Sequence, residues 1–435
     1  LQKFIYFNSM IATIQISIDG KWITAGTFEP VEGDIARGIT GGGLFEYDMD
    51  FVLPHMDDVP VWRVGLRYPV NFELYRSTKW PAFLLDILPS GAGRRGWVRR
   101  LGLKNNEAAD WQLLLNGAGN PPGNLRVAEA VIPPAGSHPG FTEEEIIEKK
   151  ADFIEYAEAR GAVVAGATDV AGDAPKFLLV RDRKRRWHPD GALEDRHVLD
   201  CWLVKFPRGK TEADLTVLRN EAPYYEVARS FGIRTGHPLK FIEGALFIPR
   251  FDRMIQDGRL IRHGLETLCS VAGIAEYGRR GEHSVFCAAI TDFATGKEVE
   301  LREYLRREIL NVALRNTDNH GRNSAFLKYP DGTVMLSPLY DFAPMFLDPE
   351  GIPRAGRWGK ELEPTPGRPD WGKVAESFSP HTNAQETRAF LVSHLEAVER
   401  LPETMRKCRV EEEVIEGVAG RCAEIATDLR EAGKG

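Results

Sequence analysis

The sequence predicts an α+β fold with three regions: a β-rich module over residues 10–135, a mixed lobe over 141–256 and a helical lobe over 257–435. Three observations predict it. Apolar and polar side chains alternate through residues 11–30 around Asp19-Gly20, which is the period-2 pattern and turn dipeptide of a β-hairpin. A Pro- and Gly-rich stretch over 132–140 marks a linker, and Thr142 with Glu145 forms a capping box for a helix over 143–159. In the last region the apolar spacing turns mainly helical, with amphipathic stretches over 300–315, 384–401 and 410–431.

The elements between these landmarks follow from local chemistry. Residues 79–91 read as a short helix halted by Pro89 and Gly91, followed by a basic helix from Arg94 to Leu103. Asn120-Pro-Pro-Gly123 turns into a strand over 125–131. Strands over 176–181 and 197–206 enclose a turn at Pro189-Asp-Gly191, and the basic run Arg181 to Trp187 before it reads as the solvated tip of a hairpin. A helix over 215–231 ends at Gly232, and strands follow over 239–242 and 245–251. Trp62, Trp80, Trp111 and Trp187 read as packing residues.

Composition narrows the function classes. No run of about 18 uncharged apolar residues occurs, so no helix is expected to cross a bilayer. Residues 1–9 lack the pattern of a secretory signal, and Met10 is expected to be the natural start. The five cysteines, Cys201, Cys269, Cys287, Cys408 and Cys422, form no C-x-x-C pair, which points to a reducing cytoplasm and away from zinc. With a net charge of −7, the surface as a whole does not draw a polyanion, so direct nucleic-acid binding is disfavoured.

The chemistry concentrates in Asn316-Thr-Asp318-Asn-His320-Gly321-Arg322-Asn323, a polar run between an apolar helix and an apolar strand. The spacing D-x-H-x-x-N suits phosphoryl transfer: Asp318 accepts the proton of an attacking hydroxyl, and Asn323 reaches Mg²⁺ through its amide oxygen. His320 is expected to fix this loop by hydrogen bonds. Asp341, at the end of the apolar stretch from Val334, offers a second hard oxygen ligand, although a strand-end Asp also commonly caps a turn. Lys205 lies in an apolar strand where its ammonium needs a phosphate, a partner such as Glu221, or an exit to water. The glycine-bearing loop from Gly161 to Lys176 suits phosphate contact by backbone N–H groups, and equally an ordinary surface turn; it is not a Walker A loop.

Together these residues resemble the HipA family, the kinase toxins of bacterial type II toxin–antitoxin modules. The likeness runs from Met10 onward. It is carried by Lys205, Asp318, His320, Asn323, Tyr340 and Asp341, by Val164-Ala165-Gly166-Ala167 with Lys176 closing that loop, and by Pro249-Arg250-Phe251-Asp252-Arg253. The resemblance implies a two-lobed protein-kinase-like fold with an extra N-terminal β-rich module, and a serine/threonine kinase that uses ATP and Mg²⁺. It implies a nucleotide held by Ala165, Gly166, Ala167, Thr168 and Lys176, by Lys205, by Pro249, Arg250 and Phe251, where the backbones of Pro249 and Phe251 hold the base, and by His320, Gly321, Arg322, Asn323, Tyr340 and Asp341. Catalysis falls to Asp318, Lys205 and Glu221, and the metal to Asn323 and Asp341. It further implies a cytoplasmic toxin linked to persistence that phosphorylates a translation-related protein, with an aminoacyl-tRNA synthetase as candidate. A HipB-like helix-turn-helix antitoxin restrains it, DNA is met only through that antitoxin, and no membrane is involved. The alternatives left open are a small-molecule or lipid kinase and a pseudokinase scaffold. One departure stands out: where the family carries an autophosphorylated Ser, this chain has Val163, and Thr168 is the sole hydroxyl residue between Gly161 and Lys176.

Overall fold

The computed structural model describes residues 10–131, 138–160, 174–278, 281–351, 353–378 and 382–434. Two compact units emerge. Residues 1–208, 242–277 and 327–333 form the first, and 209–241, 278–326 and 334–435 the second. Within the first unit, buried polar bonds tie the β-rich module to the mixed lobe: Gly123 N–H donates to Asp252 at 2.8 Å, and Arg253 donates to the carbonyls of Gly123 and Pro121.

In the first unit, β1 (Ala12–Ile18), β2 (Lys21–Pro30), β3 (Gly43–Tyr47), β4 (Tyr75–Ser77) and β5 (Leu125–Val127) form a sheet in the order β4-β3-β2-β1-β5. The expected hairpin is present, with Ile18 opposite Lys21 and both turn residues, Asp19 (φ 49°) and Gly20 (φ 76°), at the positive φ that a two-residue turn needs. Ile14, Ile16, Phe28 and Phe45 bury one face against Trp80, Trp97 and Trp111. Two expectations are corrected here. The strand over 125–131 stops at Val127 and passes into a 3₁₀ turn, and Gly91 begins the basic helix (Gly91–Leu101) instead of halting the one before it.

The second sheet of this unit contains β6 (Lys176–Asp182), β7 (Trp187–Pro189), β8 (Val198–Lys205) and the strand Ala245–Pro249, running β7-β6-β8 and then Ala245–Pro249. Phe177, Val204 and Phe247 lie opposite one another across three strands and pack on Phe141, Ile146, Phe153 and Ala157. Most of those residues come from the expected helix over 143–159, which is in fact broken into Glu143–Lys149 and Phe153–Ala159. A continuous helix would set Lys150 on the buried stripe between Ile146 and Phe153. The chain breaks there instead, with Lys150 at φ 48° and exposed. The residues after 257 are also less helical than expected, since Arg259–Arg262 and Gly264–Thr267 are strands.

The second unit is mainly helical. Its Glu212–Ser230 helix opens with a capping box between Thr211 and Asp214, and the Lys297–Ala313 and Glu412–Ala432 helices bury stripes of Leu, Ile and Val. Charged residues also lie on the buried side of Lys297–Ala313. Glu300 binds Arg234 and the Leu336 amide, and Arg307 joins Glu303 to the Ser337 carbonyl, so the Val334–Leu336 strand is fastened to the helix through charged side chains. No described helix is long and apolar enough to cross a membrane.

Candidate functional site

The Lys297–Ala313 helix is followed by a left-handed residue, Arg315 (φ 54°), and the polar loop begins directly beyond it. The loop is closed by its own groups. Asn323 donates its side-chain amide to the Asp318 carbonyl at 2.8 Å, and its backbone N–H to the His320 carbonyl at 2.8 Å. The His320 Nδ1 accepts the Arg322 N–H at 3.3 Å, while its Nε2 lies 3.7 Å from an Asp318 carboxylate oxygen. Asp318 keeps 29% of its side chain exposed, so a hydroxyl can approach it.

Asp341 lies past the end of the strand rather than on it: the strand stops at Leu336, and Asp341 follows in the left-handed region at φ 55°. That conformation is uncommon for a side-chain-bearing residue, though Asp and Asn tolerate it best. The Tyr340 hydroxyl donates to the Arg322 carbonyl at 2.7 Å and so joins this segment to the loop. Glu221 belongs to the same neighbourhood. The phenol of Tyr225, one helical turn after Glu221 and buried, is pushed up by burial first and then by the carboxylates of Glu221 and Asp341.

These residues suit Mg²⁺. The Asn323 amide nitrogen is used within the loop, which leaves its oxygen as the outward donor, and Asp341 adds a carboxylate. Among the described residues no group of three or more His, Cys, Asp or Glu is arranged to hold a metal. A magnesium ion here therefore needs phosphate oxygens and water to complete its shell, as is usual for nucleotide sites.

In the first unit, β6 and β8 set Lys176 directly opposite Lys205. Both belong to the face turned away from the Phe177–Val204–Phe247 row. The register thus brings two lysines side by side on one face of the sheet. On the next strand Pro249 lies opposite Trp202. Arg250 is buried and spends its guanidinium on Asp252 (2.9 and 2.7 Å) and Asp190 (2.5 Å), so its side chain serves the fold. Lys205 belongs to the first unit and Glu221 to the second. Ala165, Gly166, Ala167, Thr168 and Val163 lie outside the described residues.

Sequence reading missed Tyr225 and the bond by which Tyr340 joins its segment to the loop. The signal for Tyr225 was its i+4 spacing from Glu221, which stacks the two on one helix face.

A family model described as the HipA-like C-terminal domain matches residues 168–410, more than half of the 435 residues. Among solved structures, the chain is similar to HipA in the complex of the Shewanella oneidensis MR-1 toxin–antitoxin system with HipB and operator DNA, at 16% identity and a TM-score of 0.65 over 97% of each chain. That match shows the fold: α+β, with a sheet-rich N-terminal region, as the resemblance implied. The Helicobacter pylori proinflammatory kinase CtkA is matched at 14% identity over 54% of this chain and 87% of that one, with a TM-score of 0.28. No curated protein sequence matches.

Proposed function

This chain belongs to the family of the HipA-like C-terminal domain, and from that membership we propose that it is an ATP- and Mg²⁺-dependent serine/threonine protein kinase of the HipA toxin type. The observation that carries the reading is the loop from Asp318 to Asn323, closed on itself and joined to the Asp341 segment by Tyr340. Lys176 and Lys205 receive the phosphates, with Glu221 as the partner of Lys205. The backbones of Pro249 and Phe251 hold the base, and His320, Gly321 and Arg322 shape the wall near the transferred group. Asp318 accepts the proton as the substrate hydroxyl oxygen bonds to the γ-phosphorus, and the bond to the bridging β–γ oxygen breaks to release ADP. Asn323 and Asp341 would hold magnesium, which would supply positive charge against the phosphate oxygens.

The same reading includes a cytoplasmic setting, a substrate from the translation machinery such as an aminoacyl-tRNA synthetase, and a HipB-like antitoxin through which DNA is met. The Shewanella complex, which contains HipB and operator DNA, supports the antitoxin. The test is transfer of labelled phosphate from Mg·ATP to a panel of aminoacyl-tRNA synthetases, other translation proteins, small molecules and lipids. Phosphoserine or phosphothreonine on a protein supports the reading, transfer to small acceptors alone replaces it, and no ATP turnover anywhere points to a pseudokinase scaffold.

A further inference from the structure

We propose that Glu308, with His283 behind it, is a positioning residue that sets the Asp318 loop by gripping the Asn319 side chain. What the loop does rests on the kinase reading above, but how it is held does not. Glu308 lies on the Lys297–Ala313 helix and is buried to 1% exposure; an uncompensated carboxylate there is costly. One of its oxygens accepts the Asn319 amide at 2.8 Å and the Asn311 amide at 3.4 Å. The other lies 3.0 Å from His283 Nε2, without the alignment of a hydrogen bond. His283 is equally buried, and its Nδ1 lies 2.8 Å from the Tyr304 hydroxyl. Burial pushes the Glu308 carboxyl up, but His283 and then Asn319 overcome this and hold it below the ordinary range. The site is therefore a negative charge backed by a histidine, and the shorter of its two amide bonds goes to Asn319, between Asp318 and His320.

The surrounding backbone is built for the same grip. Gly281 and Gly356 pair in parallel, which brings residue 356 beside His283. A Cβ at Gly356 would come within 2.5 Å of the Asn319 carbonyl and 2.6 Å of the His283 ring, so only glycine lets both close in. The Ala355 N–H meanwhile donates to the Thr317 carbonyl at 3.1 Å. The loop is thus clamped on both sides of Asp318, and Asn319 is the side chain that carries it to the buried charge.

Hydrogen exchange of the full chain, read at amides 316–323, tests this through Asn319→Ala and Asn319→Asp. Loss of the bond in Asn319→Ala should speed exchange about fivefold to tenfold, with the His283–Phe293 helix unchanged. Asn319→Asp has nearly the same shape but turns a carboxylate toward Glu308, so it should exchange faster still. Where wild-type transfer is measurable, both variants should lower kcat roughly 10- to 100-fold with the KM for ATP within about twofold. Unchanged exchange in Asn319→Ala, or an Asp variant better protected than Ala, overturns the proposal, and so does a rise in KM at unchanged kcat. Absence of transfer in the wild type would remove the kinase reading alone, because the exchange result still decides the anchor.

Discussion

The Tyr340 hydroxyl donates to the Arg322 carbonyl at 2.7 Å, and one residue beyond each partner stand Asp341 and Asn323. This bond helps to set the spacing of the two oxygen ligands proposed for magnesium. Tyr340→Phe keeps the ring and removes only the donor, so stability should fall by no more than about 1 kcal/mol. Phosphate transfer should slow about fivefold to tenfold, because the ligands lose their relative placement. A full wild-type rate in single-turnover assays would show that the bond is incidental.

Asp318→Asn should preserve the loop, since the Asn323 amide bonds to the residue 318 carbonyl and not to its side chain. ATP binding should remain, and transfer should fall about 10²- to 10⁴-fold with the loss of a positioned base. Parallel calorimetry and labelled-ATP assays separate the two effects. Transfer at the wild-type rate would remove Asp318 from the mechanism.

Asp341 has φ 55°, a conformation that Asn also adopts readily, so Asp341→Asn changes the ligand without straining the backbone. The variant should bind Mg·ATP at least about tenfold more weakly while its metal-free ATP binding stays near wild type. Titrations with and without Mg²⁺ check this, and equal weakening in both would argue against metal ligation.

The regions of this protein that were legible in its sequence are those where local chemistry leaves one choice. Asp19-Gly20 between alternating strands specifies a two-residue hairpin because its turn needs two residues at positive φ, and Thr142 with Glu145 forms the capping box read from their spacing. The break at Lys150 was hidden because the apolar spacing on both sides fits one helix, and only the cost of burying an ammonium selects two. In the candidate site, the polar run from Asn316 to Asn323 was conspicuous because an apolar helix and strand flank it. Its supports were not: Glu308 reads as a surface charge until Leu305 and Val312 are seen to place it on the buried stripe. The grouping of Arg253 with Gly123 depends on residues 130 apart in sequence, which no local pattern encodes.

Lys176 stands opposite Lys205 on neighbouring strands, and both are proposed to meet the phosphates of ATP. Lys176→Met removes one of those two cations and should weaken ATP binding about tenfold. It should also reduce the rise in melting temperature that ATP produces. Titration calorimetry and thermal melts with and without ATP give both quantities, and a variant that binds and responds to ATP as wild type does would contradict this account.

Arg250 joins Asp190 and Asp252 in a buried network, and burial alone would raise the Asp252 carboxyl. Arg250, Arg253 and the Gly123 amide overcome that and hold it well below the usual carboxylate range. A carboxyl depressed in the folded state contributes stability in full above its unfolded value of about 3.9, and the contribution is lost as pH falls from there toward the folded value. Arg250→Met removes the main opposing charge and leaves two buried carboxylates with too few partners, which should cost about 3–5 kcal/mol at neutral pH. The Asp252 carboxyl should rise, so acid unfolding of the first unit should begin at higher pH than in wild type. Urea unfolding at pH 7 and an acid titration followed by tryptophan fluorescence measure the two effects. A variant with wild-type urea stability and an unmoved acid transition would show that the network does not join the β-rich module to the lobe that carries Lys205.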